Sequence, residues 1–276
     1  MPFRGRTDMA SELLEDISEK LGEERGICVK RGEENGFLYT LVRVLNEKGA
    51  ALIGRDVGSY FTLELPEGNF DLRRCIRPLA NFLRGLTGQG SVLVAALGNP
   101  DITPDALGPL TAERILVTRH LRIASPKTFG DLRETSLCRT GVLSMGGIET
   151  AQQIKAAAEI TKPECVIVID ALAGRSVPLL CRSIQIADTG ISPGSGVGNN
   201  RERISRGTLG IPVISVGVPT VAEACEPNGD KKAGAMFVTP RDIDFRVRKL
   251  SRIIAGAVNT ALHPTLTWEE IEELTE

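Results

Sequence analysis

Two histidines, one tryptophan and two tyrosines are all that 276 residues contain of those types. With only His120 and His263, and no H-E-x-x-H, the usual zinc-hydrolase arrangements are excluded, and no metal or other cofactor is expected. Positive charge is not in excess either: 33 Lys and Arg stand against 35 Asp and Glu, a formal net charge of -2. Binding to phosphates needs a cationic face, so nucleic acid is not an expected partner. No apolar run approaches the roughly 18 to 20 residues that cross a bilayer, so no membrane partner is expected. The six cysteines, at 28, 75, 138, 165, 181 and 225, form no C-x-x-C pair. Together with a polar N-terminus without a secretory leader, this reads as a reducing, cytoplasmic setting.

What is present suits a folded enzyme. With 42% hydrophobic and 25% charged residues the chain can bury a core, and its length is at the upper end of one domain. Residues 7–21 read as a helix, with Thr7 as N-cap and one apolar stripe through Met9, Leu13, Leu14, Ile17 and Leu21. "GICVKR", "FLYTLVRVL" and "YFTLEL" read as strands, and "FDLRRCIRPLANFLRGL" as an amphipathic helix kinked at Pro78. Farther on, "VLVAAL", "CVIVID" and "IPVISVGV" are short apolar runs without alternation, the pattern of strands buried on both faces of a parallel sheet. Helices are expected at "IETAQQIKAAAEI" and "PRDIDFRVRKLSRIIAGAVNTAL". The fold class is therefore α/β, a three-layer αβα arrangement around a mostly parallel sheet.

In such sheets ligands bind beyond the carboxyl ends of the strands, and two aspartates sit there. Asp105 follows the strand ending at Leu97, and Asp170 closes "CVIVID". Thr103 as N-cap and Pro104 as first helical residue would make Asp105 a helix-start acid, favoured by the helix dipole. Asp170 has less reason to end an apolar strand unless it is paired or lies in a crevice. Asp101 is a possible auxiliary acid.

Two motifs are decoys. "GISPG" at 190–194 matches the nucleophile elbow with Ser192 as nucleophile, but Pro193 has no N–H for an oxyanion. "DTG" at 188–190 is the aspartic-protease tripeptide, yet those enzymes are all-β, so Asp188 reads as a turn residue near the crevice. The glycines of "GSGVGN" at 194–199 fit an anion nest or a loop needing positive φ.

"LGNPDITPDALGP", "LVTRHL", "MGGIETAQQIK", "VIVIDALAGRSV", "QIADTGISPGSGVGNNRERIS", "TLGIPVISVGVPTV" and "NTALH", in that order, resemble the germination protease family of spore-forming bacteria. The resemblance covers most of the chain. It implies an endopeptidase that digests small acid-soluble spore proteins during germination, made as a zymogen that removes its own propeptide. It implies Asp105 and Asp170 as the essential aspartates, an aspartic dyad in which one carboxyl keeps a proton. His120, Asp101 and Asp188 are the possible auxiliaries. The family's cleavage sequence, a Thr-Glu-(Ile or Phe)-Ala-Ser-Glu type, is similar to "RTDMASEL" at 6–13. This implies a cut between Asp8 and Met9, with residues 1–8 as propeptide and 9–276 as one protease domain. As substrate the segment must be extended, so the helix over 7–21 would have to detach first.

A cut after an acid suggests a basic pocket, for which Arg119, Arg175, Arg201 and Arg203 are candidates. The resemblance further implies a homotetramer, location in the forespore or spore core, and a fold similar to the hydrogenase-maturation endopeptidases. The segment after "VGVPTV" is shorter than is usual in the family. Two rival readings stand beside it: a metal-dependent maturation peptidase using Asp105 and Asp170 to bind nickel of its substrate, and a silent binder of spore proteins.

Overall fold

A computed structural model describes residues 6–14, 22–198, 201–224 and 236–275. Its strands are β1 (Ile27–Glu34), β2 (Phe37–Val44), β3 (Gly58–Glu64), β4 (Val92–Ala96), β5 (Thr135–Arg139), β6 (Cys165–Gly174), β7 (Ser183–Ala187), β8 (Val213–Glu223) and β9 (Phe237–Val238). Its helices are α1 (Ala10–Leu13), α2 (Glu47–Ile53), α3 (Leu72–Thr87), α4 (Leu107–Ala112), α5 (Arg119–Ala124), α6 (Pro126–Phe129), α7 (Leu143–Gly146), α8 (Thr150–Thr161), α9 (Arg206–Leu209), α10 (Ile243–Leu262) and α11 (Trp268–Thr275).

All of these strands join one mixed sheet in the order β1-β2-β3-β7-β8-β6-β4-β5, with β9 added to β8. The three apolar runs without alternation are β4, β6 and β8, and they pair in parallel, with β5 parallel to β4. An antiparallel flank of β1, β2, β3 and β7 extends this block through β7 and β8. Helices cover both faces, giving the three layers that two-sided burial demands.

Alternation along β6 divides the core. Ile167 and Ile169 join the larger cluster with Leu79, Leu83, Ile254 and Val258 of α3 and α10. Val166, Val168 and Leu172 point to the opposite face, where Ile154 of α8 and Met9 close over them. Asp170 has the parity of Val168 and Leu172, so its side chain emerges on that second face. α3 runs through Pro78 without interruption.

The long helix α10 is tied to the sheet's end by Asn259, which is 1% exposed. Its Oδ1 accepts from the Leu116 N–H at 3.0 Å and its Nδ2 donates to the Arg114 carbonyl at 2.8 Å. Both backbone groups lie in the stretch leading from α4 toward β5, so one side chain satisfies a loop that has left its helix.

Three local expectations are corrected. The N-terminal helix starts at Ala10, with Met9 at its cap position in extended conformation and no side-chain cap; residues 15–21 lie outside the described ones. Thr7 is not its N-cap, because the Thr7 hydroxyl accepts from the Met9 N–H at 3.0 Å and so closes a local turn instead. Residues 103–105 form a short 3-10 turn capped by Ile102, so Thr103 lies inside it and α4 starts only at Leu107. α11 was not expected, although its capping box is legible: the Thr267 N–H donates to Glu270 Oε2 at 2.7 Å and the Glu270 N–H to Thr267 Oγ1 at 3.3 Å.

Candidate active site

Strand β4 stops at Ala96 while its neighbour β6 continues to Gly174. The last contact between them is the Leu97 N–H donating to the Ile169 carbonyl at 2.9 Å. Beyond it the β6 edge that β4 had covered lies open, and the chain leaving β4 turns away at Gly98. That turn requires glycine: φ is +122°, and a Cβ would overlap the Asp105 carbonyl oxygen. Gly108 is held by a similar closeness, since a Cβ there would overlap the Leu97 carbonyl oxygen. The two glycines press the 98–108 loop against the end of β4 and so bring Asp105 back over the crevice.

The Asp105 carboxylate, half-buried, accepts from the Asn99 N–H at 2.8 Å. Burial raises its pKa above the ordinary carboxylate range, and the Asn99 bond partly opposes the rise. Asp170 is 5% exposed and accepts from the Ala171 N–H at 2.9 Å. Its pKa is pushed well above the ordinary value, first by burial, then by the negative charge of Asp105, with Asp8 adding a smaller push in the same direction. Asp105 and Asp170 line one cavity of about 410 Å³, together with Gly98, Thr220, Arg201 and Asp8. The sheet thus brings together the two acids singled out in the sequence.

The third acid comes from the N-terminal segment, which occupies the open β6 edge. The Asp8 N–H donates to the Ala173 carbonyl at 2.8 Å, as a strand residue would. Asp8 also faces a second cavity, of about 230 Å³, lined by Arg55, Gln185, Ser192 and Arg203 among others. The Asp8 carbonyl accepts from Gln185 Nε2 at 3.1 Å, and Gln185 Oε1 accepts from the Ala10 N–H at 2.7 Å. The Thr7 carbonyl accepts from Arg55 Nη2 at 2.6 Å. The Asp8–Met9 peptide therefore lies in extended chain ahead of the helix. Met9, on the far side of that bond, is buried.

Gln185, Arg55 and Ser195 were missed by sequence reasoning. Gln185 sits in the middle of an apolar strand, "SIQIA", and a buried polar residue there was the one available signal. Of the arginine candidates, Arg175 binds the N-terminal segment through Glu12 and Arg201 lines the first cavity, 3.9 Å from Glu149. Arg203 pairs with Asp56, and Arg119 with Glu134 at 3.2 Å. Asp101 is exposed, its N–H folded back onto Asn99 Oδ1 at 2.9 Å. Asp188 is exposed and accepts from the Ser59 N–H at 2.7 Å, fastening β3 to β7. His120 is exposed on α5. None of these three lines either cavity. Ser192 lines the second cavity, but neither histidine does. Among the described residues, no group of three His, Cys, Asp or Glu could hold a metal ion, and no helix is long and apolar enough to cross a membrane.

The germination protease family pattern matches residues 6–233. The germination protease of Caldanaerobacter subterraneus subsp. tengcongensis is 38% identical over 317 aligned residues, covering 98% of this chain and 97% of that protein. That of Bacillus thuringiensis subsp. konkukian is 43% identical over 261 residues, 90% of this chain and 68% of that protein. Among solved structures, a [NiFe] hydrogenase maturation protease HycI from Thermococcus kodakarensis aligns with 64% of this chain and 98% of its own at 19% identity. Its TM-score is 0.35, too loose a likeness to speak for the site.

Proposed function

The chain belongs to the germination protease family, and on that premise we propose that it is an aspartic-type endopeptidase that cuts its own chain between Asp8 and Met9 and then digests small acid-soluble spore proteins. The observation that carries this is the meeting of Asp105, Asp170 and Asp8 in one cavity at the carboxyl ends of β4 and β6.

The chemistry follows from the unequal surroundings of the two acids. Asp170 is the more deeply buried and feels the charge of Asp105, so it is the carboxyl that keeps a proton. Asp105, only half-buried and with the Asn99 N–H on its carboxylate, is the one that ionises. Ionised Asp105 takes a proton from water as the water oxygen attacks the Asp8 carbonyl carbon. Asp170 donates its proton toward the carbonyl oxygen, which also accepts from Gln185 Nε2. Collapse breaks the C–N bond: the proton taken by Asp105 passes to the Met9 nitrogen, and one hydroxyl of the tetrahedral intermediate returns its proton to Asp170 as the new carbonyl forms. Residues 1–8 then leave as propeptide.

Intact-mass measurement of the wild type, Asp105→Asn and Asp170→Asn, held at mildly acidic pH, tests this. Loss of residues 1–8 from the wild type alone is expected. Equal loss from either variant overturns the pair. The resemblance also carries a homotetramer and spore-core location as parts of this proposal, checked by light scattering and by localisation in sporulating cells.

A further inference from the structure

A third cavity, of about 580 Å³, opens beside α10 and shares no lining residue with the two that Asp8 borders. One wall is the loop from β3 to α3, residues 65–70. The other is the first half of α10, where Asp242, Arg246, Lys249 and Ile253 follow one another at helical spacing. Leu65, Leu250 and Ile253 give it a buried apolar floor that belongs to the larger core cluster, and Phe245, 66% exposed, stands at its rim.

Five charged side chains line this cavity, and four of them are matched in pairs. Arg182 Nη1 donates to Glu67 Oε1 at 2.6 Å and its Nε to the Leu65 carbonyl at 3.3 Å, which ties the loop to the chain entering β7. Arg246 Nε donates to Asp242 Oδ1 at 2.7 Å. The fifth is Lys249. Its Nζ lies 3.6 Å from the centre of the Phe70 ring, and among the described residues no carboxylate forms an ion pair with it. An aromatic face attracts an ammonium but leaves its charge unneutralised. Burial, with the charge of Arg246 acting in the same direction, holds the Lys249 pKa below the ordinary amine value.

The lining selects among ligands. One unmatched positive charge calls for one negative charge, because a second would meet Glu67 and Asp242 close by. A phosphate monoester carries nearly two charges at neutral pH, so a carboxylate fits better. The apolar floor and the bare Phe245 ring call for an apolar body on that carboxylate, which an inorganic ion lacks.

We infer that this cavity is a binding site for apolar monocarboxylates: the carboxylate pairs with Lys249, and the apolar body lies against Leu65, Leu250 and Phe245. A free apolar amino acid and the C-terminal residue of an apolar peptide share that chemistry. The inference makes no use of the proposed cut or of the aspartate pair, so it stands or fails apart from them.

Titration calorimetry of the full-length chain with N-acetylphenylalanine tests it, with N-acetylphenylalaninamide as the neutral control and 2-benzylsuccinate as a dicarboxylate. We expect a Kd of about 1 mM or tighter for the acid and an affinity about tenfold lower for the amide. Benzylsuccinate should bind more weakly than the acid. In Lys249→Gln the acid should bind no better than the amide, while Lys249→Arg should restore the preference; a purely structural lysine would not separate acid from amide. Equal affinities of acid and amide for the wild type, full affinity of the acid for Lys249→Gln, tighter binding of benzylsuccinate, or no binding of the acid at about 10 mM each overturn the site.

If Lys249→Gln does not fold by circular dichroism, Phe245→Ala at the exposed rim takes its place: weaker binding of the acid upholds the site and unchanged binding overturns it. Phenylalanine itself separates the two sources. Tighter binding than N-acetylphenylalanine assigns the site to free amino acids and weaker binding to peptide ends, and loss in Lys249→Gln upholds the site in either case.

Discussion

Asp8 and Ala173 exchange two hydrogen bonds: the Asp8 N–H donates to the Ala173 carbonyl at 2.8 Å, and the Ala173 N–H donates to the Asp8 carboxylate at 3.0 Å. The first is a strand-type bond and the second replaces its backbone counterpart with a side chain. An N-terminal residue is thereby added to the sheet at the edge that β4 leaves uncovered, beside Asp105 and Asp170.

Burial of Asp170 sets a cost that can be measured. Its folded-state pKa is raised, so the native protein holds that proton more tightly than the unfolded chain does. Stability from this group is present in full below the unfolded value of 3.8 and is lost as pH rises through the raised folded value. Asp170→Asn, neutral at every pH, should raise Tm by a few degrees at pH 7 and give no gain near pH 3, while abolishing self-cleavage. Calorimetry across that range checks the sign.

Gln185 holds the peptide at two points, through the Asp8 carbonyl and the Ala10 N–H. A donor aimed at a reacting carbonyl is worth about 100-fold or more in rate. Gln185→Ala should slow appearance of the Met9 N-terminus by roughly that factor at unchanged pH optimum, because the ionising pair is untouched. A rate within twofold of wild type, read by mass spectrometry over time, would remove Gln185 from the reaction.

Gly98 is a geometric requirement for placing Asp105. With φ at +122° and the Asp105 carbonyl oxygen in the space of a Cβ, Gly98→Ala must displace the loop. Displacement by about 1 Å costs around 100-fold in rate. We expect that loss with secondary structure unchanged by circular dichroism, and full activity in Gly98→Ala would contradict it.

Asn259→Ala should act on stability alone. It strands the Leu116 N–H and the Arg114 carbonyl beneath α10, at a cost of about 2–4 kcal/mol. Urea unfolding would show the loss, with the rate of self-cleavage under native conditions retained.

Much of the fold is legible in residue order because its signals are local. Unalternated apolar runs mark β4, β6 and β8 as buried on both faces, and the apolar stripe of α3 and α10 marks the face each presents to the core. Asp105 and Asp170 are legible as a pair because each follows or ends such a run, and strand ends of a parallel sheet meet at one edge. Even the capping box of α11 was there to be read in Thr267 and Glu270.

The rest was decided by tertiary structure. Thr7 and the apolar spacing after it satisfy every local rule for a helix start, yet the backbone of Asp8 pairs with Ala173, 165 residues away along the chain. Glu12 meets Arg175 and Gln185 meets Asp8 over comparable distances in sequence. Periodicity and capping report only on neighbours within a turn or a strand. What determines these contacts is the uncovered edge of β6, a surface that exists only after β4 has ended and the sheet has closed around it.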